Sequence, residues 1–180
     1  MKNTLLKIFF ILFTSFLFAA CRKNIVINAK QAILFQVDYI NYAWGYQHSG
    51  FIIDNEGKVL TYKNPQEWIF PDKDFKLTGN QVHDNIEKCL FSGKIIPPDE
   101  LIKYARYIKN ISSSKVTATK NVAADAGSLE YICYQFSEIS DTYKGSLIKM
   151  EGDFTCENLN FYSKKVSTWL KTINETLDKK

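Results

Sequence analysis

Two histidines, His48 and His83, and three of the four cysteines, Cys89, Cys133 and Cys156, carry the widest chemical range in this chain. A thiol or hydroxyl held by a base makes a nucleophile, so Cys133 or Cys156 with His48 or His83 is the first pairing to weigh. The surrounding residues argue against it. Cys133 sits in Tyr131-Ile132-Cys133-Tyr134, which reads as strand, and Cys156 lacks the glycine-rich turn that displays a nucleophile. A disulfide or a structural thiol is the plainer use. In an oxidising compartment, one bridge among Cys89, Cys133 and Cys156 with one thiol left over is expected, and spacing does not choose the pair. Paired carboxylates are the second chemistry, because two acids flanking a glycosidic bond can hydrolyse it. Asp38, Asp54, Asp125 and Glu130 are available. Asp54 is better explained as a turn residue, and Asp72, Asp74 and Asp84 as solvated loop or helix-start positions. Nothing in the spacing selects two of these acids, so no catalytic residue is assigned.

The third chemistry is recognition. Tyr42-Ala43-Trp44-Gly45-Tyr46-Gln47-His48-Ser49-Gly50 is the densest local cluster, and Trp68 and Phe70 follow in a later loop. Trp44, Tyr46, Trp68 and Phe70 offer flat faces to a sugar ring or peptide, with Gln47 and His48 as polar contacts. The alternative is that these rings cover the end of a sheet while Gly45 and Gly50 let the chain bend. Gly152-Asp153 either aims Asp153 at a ligand or ends a strand and caps the next helix. His83 reads as a surface or half-buried helix residue. Two histidines and the cysteine spacings fit no zinc signature, no phosphate-cradling glycine loop is present, and neither a metal nor a cofactor is expected.

Composition narrows the partners. The chain has 23 basic and 19 acidic residues, and the leader described below carries Lys2 and Lys7 but no acid, so the remainder is close to neutral. With Arg22 and Arg106 the only arginines, nucleic-acid binding is not expected.

These side chains must be placed by a small number of elements. Ile33, Phe35, Val37 and Tyr39 alternate with Leu34, Gln36, Asp38 and Ile40, the period of a strand with one buried face. Strands at 50–53 and 58–62 flank Asp54-Asn55-Glu56-Gly57, a hairpin turn. Residues 64–78 read as a long loop. Thr78-x-x-Gln81 forms a capping box for a helix that Gly93 ends, and Pro97-Pro98-Asp99-Glu100 opens a second helix, broken by Ser112-Ser113-Ser114. Residues 129–138 and 146–150 form a second hairpin. From Asn158 to Leu177 a stripe of Leu159, Tyr162, Val166, Trp169, Leu170, Ile173 and Leu177 predicts a terminal helix packed on the sheet. The order β-β-β, α-α, β-β, α gives an α+β fold: a mainly antiparallel sheet of about five strands, about three helices, and the helices on one face.

The leader supplies the address. Lys2 and Lys7 precede an uncharged run from Ile8 to Ala20, which suits a signal-peptide core and is shorter than the roughly 20 residues that span a bilayer. Leu17-Phe18-Ala19-Ala20-Cys21 resembles the lipobox of bacterial lipoproteins, with Phe18 where an aliphatic residue is usual. The resemblance implies that Cys21 is acylated and becomes the mature N-terminus. The words Asp125-Ala126-Gly127, Gly152-Asp153, Asn158 and Trp169-Leu170 resemble small lipoproteins of Bacteroidota-type bacteria, which implies an envelope location and brings no activity. The expected organisation is a signal peptide over 1–20, a lipidated N-terminus and tether over 21–30, and one α+β domain over 31–180. A lipid-anchored, non-enzymatic envelope protein at the periplasmic face of the outer membrane is the leading expectation, its partner an envelope protein or glycan. A glycan-binding module using the exposed aromatics and a small envelope hydrolase are the alternatives. A recessed pocket holding His48 with a carboxylate or thiol would favour the hydrolase, a contiguous aromatic shelf the glycan, and the absence of both a protein partner.

Overall fold

The computed structural model describes residues 27–177. The expected signal peptide over 1–20 and Cys21 lie outside the described residues. Nine strands and four helices are present among those described: β1 Ile33–Asn41, β2 Gln47–Asp54, β3 Lys58–Lys63, β4 Lys76–Thr78, α1 Gly79–Glu87, β5 Leu90–Ile95, α2 Pro98–Ala105, α3 Ile108–Ser112, β6 Lys120–Asn121, β7 Ser128–Ser137, β8 Thr142–Gly152, β9 Phe154–Glu157 and α4 Ser163–Leu177. Every strand pair is antiparallel, in the order β5-β3-β2-β1-β7-β8-β9-β6, with β4 also on β8. The fold is α+β, as the element order implied.

The hairpin turn forms as read. Asp54 Oδ1 accepts from the Glu56 and Lys58 amides at 2.9 and 2.8 Å, and Gly57 takes φ +83°, a conformation that a side chain would strain. Thr78 and Gln81 cap each other across the start of α1, at 2.8 and 3.3 Å. Beyond the cap the reading fails: α1 stops at Glu87, and Gly93 lies inside the edge strand β5 at φ +81°, where pairing with β3 shifts register. The terminal helix begins at Ser163. Leu159 is exposed, and buried Asn158 instead ties α3 to β8, donating to the Ile111 and Leu147 carbonyls at 3.1 Å each.

The helices do not all lie on one face. α2, α3 and α4 cover the face that carries Phe35, Val37, Phe51, Ile53, Tyr131 and Cys133, closing over it with Leu101, Ile111, Val166, Trp169 and Leu170. α1, β4 and the loop before it cover the other face, where Ile52, Tyr62, Ile132 and Tyr134 meet Leu77, Val82 and Trp68, so the end of the expected 64–78 loop is a strand. The sheet is therefore the middle of three layers. The end of the expected tether also docks: Ile27 packs beside the first core, Lys30 pairs with Glu138 at 2.9 Å, and Asn55 donates to the Ala29 carbonyl at 2.7 Å.

The cysteines do not form the expected bridge: Cys89, Cys133 and Cys156 are all free thiols. Cys133 belongs to the helix-covered core and Cys89 packs against the loop-covered one, so the sheet stands between them. Burial pushes both thiols up to about 12, which leaves them protonated and unreactive at neutral pH.

Candidate functional site

Register builds the site before any side chain is considered. Tyr62 pairs with Gly50, Gly50 with Asp38, and Asp38 with Glu130, so these residues form one row across β3, β2, β1 and β7. A Cβ on Gly50 would strike the Val37 carbonyl oxygen and lie 2.6 Å from Tyr62 Oη. Gly50 thus serves to let the Tyr62 ring fold over β2 and reach Asp38, which is a stronger requirement than a bend.

Asp38 Oδ1 accepts from Tyr62 Oη at 2.5 Å and from His48 Nε2 at 2.7 Å. Gln36 Nε2 donates to Tyr62 Oη at 2.9 Å, and Tyr134 Oη donates to Gln36 Oε1 at 2.6 Å. The result is one connected chain, Tyr134–Gln36–Tyr62–Asp38–His48, with every member buried. Burial, reinforced by the Asp38 charge, holds the Tyr62 hydroxyl well above its ordinary range. His48 is surrounded by the rings of Tyr46, Tyr62, Trp68 and Phe70 at centroid distances of 6.0, 5.2, 5.3 and 5.3 Å. Its Nδ1 is buried without a hydrogen-bond partner, a condition that costs about 1–3 kcal/mol.

Next to this network is a recess of about 250 Å³. Gln36, Asp38, Glu130 and Tyr134 form its polar floor, and Trp68 and Phe70 are part of its apolar roof. No lysine or arginine lines it. The roof is pinned by α1, where Asn85 Nδ2 donates to the Ile69 carbonyl at 2.7 Å and Asn85 Oδ1 accepts the Ile69 amide at 2.9 Å. Trp68 stacks on Tyr62 with centroids 4.2 Å apart. Glu130 has no hydrogen-bonded or ion-paired partner among the described residues, and burial together with the neighbouring Asp38 charge pushes its carboxyl up to about 7. Two carboxyl groups therefore stand side by side in different environments: one is hydrogen-bonded, the other is poised near neutrality.

Outside the recess the chain of rings continues. Tyr46 touches Tyr42 at 5.5 Å, and both are exposed, as are Phe70 and, at 80%, Trp44. Ring contacts run from Tyr42 through Tyr46 and His48 to Phe70 at the recess.

Of the residues singled out in the sequence, Tyr46, Trp68, Phe70 and His48 are brought together, and Trp44 and Gln47 stay exposed on the same segment. His48 is not a surface contact but a fully buried member of the network. Asp38 and Glu130 are neighbours, whereas Asp54 serves the hairpin turn. Asp153 holds the 125–127 segment by accepting from the Ala126 and Gly127 amides at 2.8 and 3.0 Å; Gly152 ends β8 as expected, but a strand and not a helix follows, so Asp153 caps no helix. His83 is exposed and pairs with Glu87 at 3.1 Å. Sequence reading missed Gln36, Tyr62, Tyr134 and Asn85. The available signal was a polar pair, Gln36 and Asp38, at same-parity positions of a strand that turns out to be covered on both faces.

Among the described residues, no group of three or more His, Cys, Asp or Glu side chains could hold a metal ion, and no helix is long and apolar enough to cross a membrane. Comparison with protein-family models, with curated proteins and with solved structures finds no match.

Proposed function

We propose that this is a lipid-anchored cell-envelope protein, held through Cys21, whose recess at Asp38 and Glu130 binds a neutral sugar unit of an envelope glycan. One observation carries the ligand reading: two adjacent carboxyl groups lie on the floor of an aromatic-roofed recess that no cation lines. Carboxylates accept hydrogen bonds from sugar hydroxyls, and flat rings pack on the apolar face of a pyranose. The volume of about 250 Å³ suits one ring, with the exposed Tyr42, Trp44 and Tyr46 left to meet the next units of a chain. The lack of lysine and arginine disfavours a phosphate or carboxylate ligand. The anchor is supported by the leader alone.

Calorimetric titration with N-acetylglucosamine oligomers tests the recess. Saturable binding that Asp38→Asn weakens at least tenfold is expected, while no heat with any oligomer, or an unchanged affinity in the variant, refutes it. Intact mass of the protein from the native membrane fraction tests the anchor, with a chain starting at Cys21 and carrying acyl mass as the expected result.

A hydrolytic reading is favoured by one specific feature, the Glu130 carboxyl near 7 beside Asp38. In that reading Glu130 gives its proton to the leaving glycosidic oxygen while Asp38, on the neighbouring strand, takes a proton from the water that bonds to the anomeric carbon as the C–O bond breaks. Release of reducing ends from the same oligomers, abolished by Glu130→Gln with binding retained, would establish it. Binding without turnover would exclude it.

A further inference from the structure

The opposite side of the molecule carries a second surface, formed by the outer faces of α2, α3 and α4. Lys103, Arg106, Lys109, Lys164 and Lys165 are all exposed there, and none has an ion-pair partner among the described residues. Instead, several of them lie against rings: Lys103 over Tyr104 at 5.2 Å, and Arg106 and Lys165 over Tyr107 at 5.1 and 5.6 Å. The rings stack in turn across the helices, Tyr104 on Trp169 and Tyr107 on Tyr162, both at 4.1 Å. Phe161 projects beside them with 88% exposure, and a shallow depression of about 760 Å³ runs between Tyr104, Phe161 and Trp169. Two acids accompany the patch at the start of α2: Asp99 is exposed, and Glu100 accepts the Trp169 indole N–H at 2.6 Å.

The place where the chain enters the domain ties this surface to the anchor. Ile27 lies with Ala105, Ile108 and Lys109 around one depression, so the described chain begins at the edge of the basic face. Only residues 22–26 separate it from Cys21, and they reach at most about 20 Å even when extended. They include Arg22 and Lys23. An acyl anchor at Cys21 therefore keeps the basic face within a short distance of the lipid headgroups.

We propose that the α2–α3–α4 face docks on an anionic phospholipid surface, with the cations contacting headgroup phosphates and Phe161 entering the interface. This rests on the Cys21 anchor proposed above. Basic residues are attracted to an anionic bilayer and this attraction is screened by salt, and aromatic rings flanked by lysine and arginine suit the headgroup layer. Docking would turn the opposite face, with the sugar recess, away from the membrane.

The test uses the full-length acylated protein in nanodiscs of phosphatidylcholine alone and of phosphatidylcholine mixed with phosphatidylglycerol. Surface lysines are acetylated with a membrane-impermeant reagent and read by mass spectrometry. On the anionic discs, modification of Lys103, Lys109, Lys164 and Lys165 is expected to fall at least threefold relative to Lys63, Lys73 and Lys120, and to recover in high salt. The charge-reversal variant Lys103→Glu/Arg106→Glu/Lys165→Glu should remain in the disc with its melting temperature intact and lose the protection of Lys109 and Lys164. Uniform modification of an acylated protein on anionic discs overturns the docking surface and leaves the anchor standing. A chain without acyl mass overturns the anchor and the docking with it. Protection that requires added envelope proteins rather than lipid assigns the face to a protein partner and overturns the lipid reading.

Discussion

The two faces of the sheet are buried in different ways, the helix-covered face by the larger apolar core. On the helix-covered face Phe35, Val37, Phe51 and Tyr131 meet Ile111, Val166, Trp169 and Leu170, and the interior is filled by interdigitating apolar side chains. On the loop-covered face Asp38, Gln36, His48 and Tyr62 are equally withdrawn from solvent, and a recess remains beside them. Apolar packing supplies stability at little risk, whereas buried polar groups weaken the fold unless they are paired. The unpartnered histidine nitrogen and the two adjacent carboxyl groups are kept on one face only, so the sheet separates polar burial from apolar packing.

The largest effect should come from the apolar face. Trp169 meets Phe35 edge-on at 5.3 Å and stacks on Tyr104, so Trp169→Ala is expected to cost about 3–5 kcal/mol in denaturant unfolding, with the affinity of the folded fraction for sugar unchanged. A loss of affinity there would break the division between the faces. The second effect belongs to Glu130. Its carboxyl keeps its proton up to about 7 in the native state, against 4.5 as the ordinary value. Between these values the unfolded chain gives up a proton that the native chain retains. Stability is therefore greatest below pH 4.5 as far as this group is concerned, falls through the window, and is level above pH 7. The fall is on the order of 3 kcal/mol. Unfolding free energies of wild type and Glu130→Gln across this range check it: the variant should lack that component of the slope.

The third effect tests the row across the strands. Gly50→Ala is expected to cost about 1–3 kcal/mol, as an overpacked site does, and to move the Tyr62 ring resonances, because the added methyl takes the space of the Tyr62 hydroxyl. An unshifted Tyr62 would show that the ring does not depend on the glycine. The smallest effect is the control. His83→Ala, on the exposed surface of α1, should change stability by less than about 0.5 kcal/mol and leave sugar binding unaltered.

How much of this was legible depended on whether the determinant was local. The Asp54–Gly57 turn, the Thr78/Gln81 cap and the Val166–Ile173 stripe are written in neighbouring residues, and they formed where the pattern put them. β5 was hidden because Leu90, Phe91 and Ile95 lie on an edge strand with their side chains exposed, so no alternation marks them. The site was half legible for the same reason. Trp44, Tyr46, Trp68 and Phe70 stand out by type, but the value of Gln36, Asp38 and Gly50 comes from long-range pairing and from a second covering layer. A strand with one polar flank looks solvated until α1, β4 and the loop before it close over it.

The three tryptophans report on the division of labour directly. Trp44 projects from the ring-rich segment, Trp68 walls the recess, and Trp169 belongs to the helix-covered core. We would follow their indole N–H signals in a nitrogen–proton correlation spectrum while adding N-acetylglucosamine oligomers. The expected result is a saturable shift of Trp68, accompanied by Trp44 as the oligomer lengthens, with Trp169 stationary and the Trp68 shift lost in Asp38→Asn. A stationary Trp68 at saturating oligomer, or a Trp68 shift that survives Asp38→Asn, would contradict the assignment of the loop-covered face as the binding face.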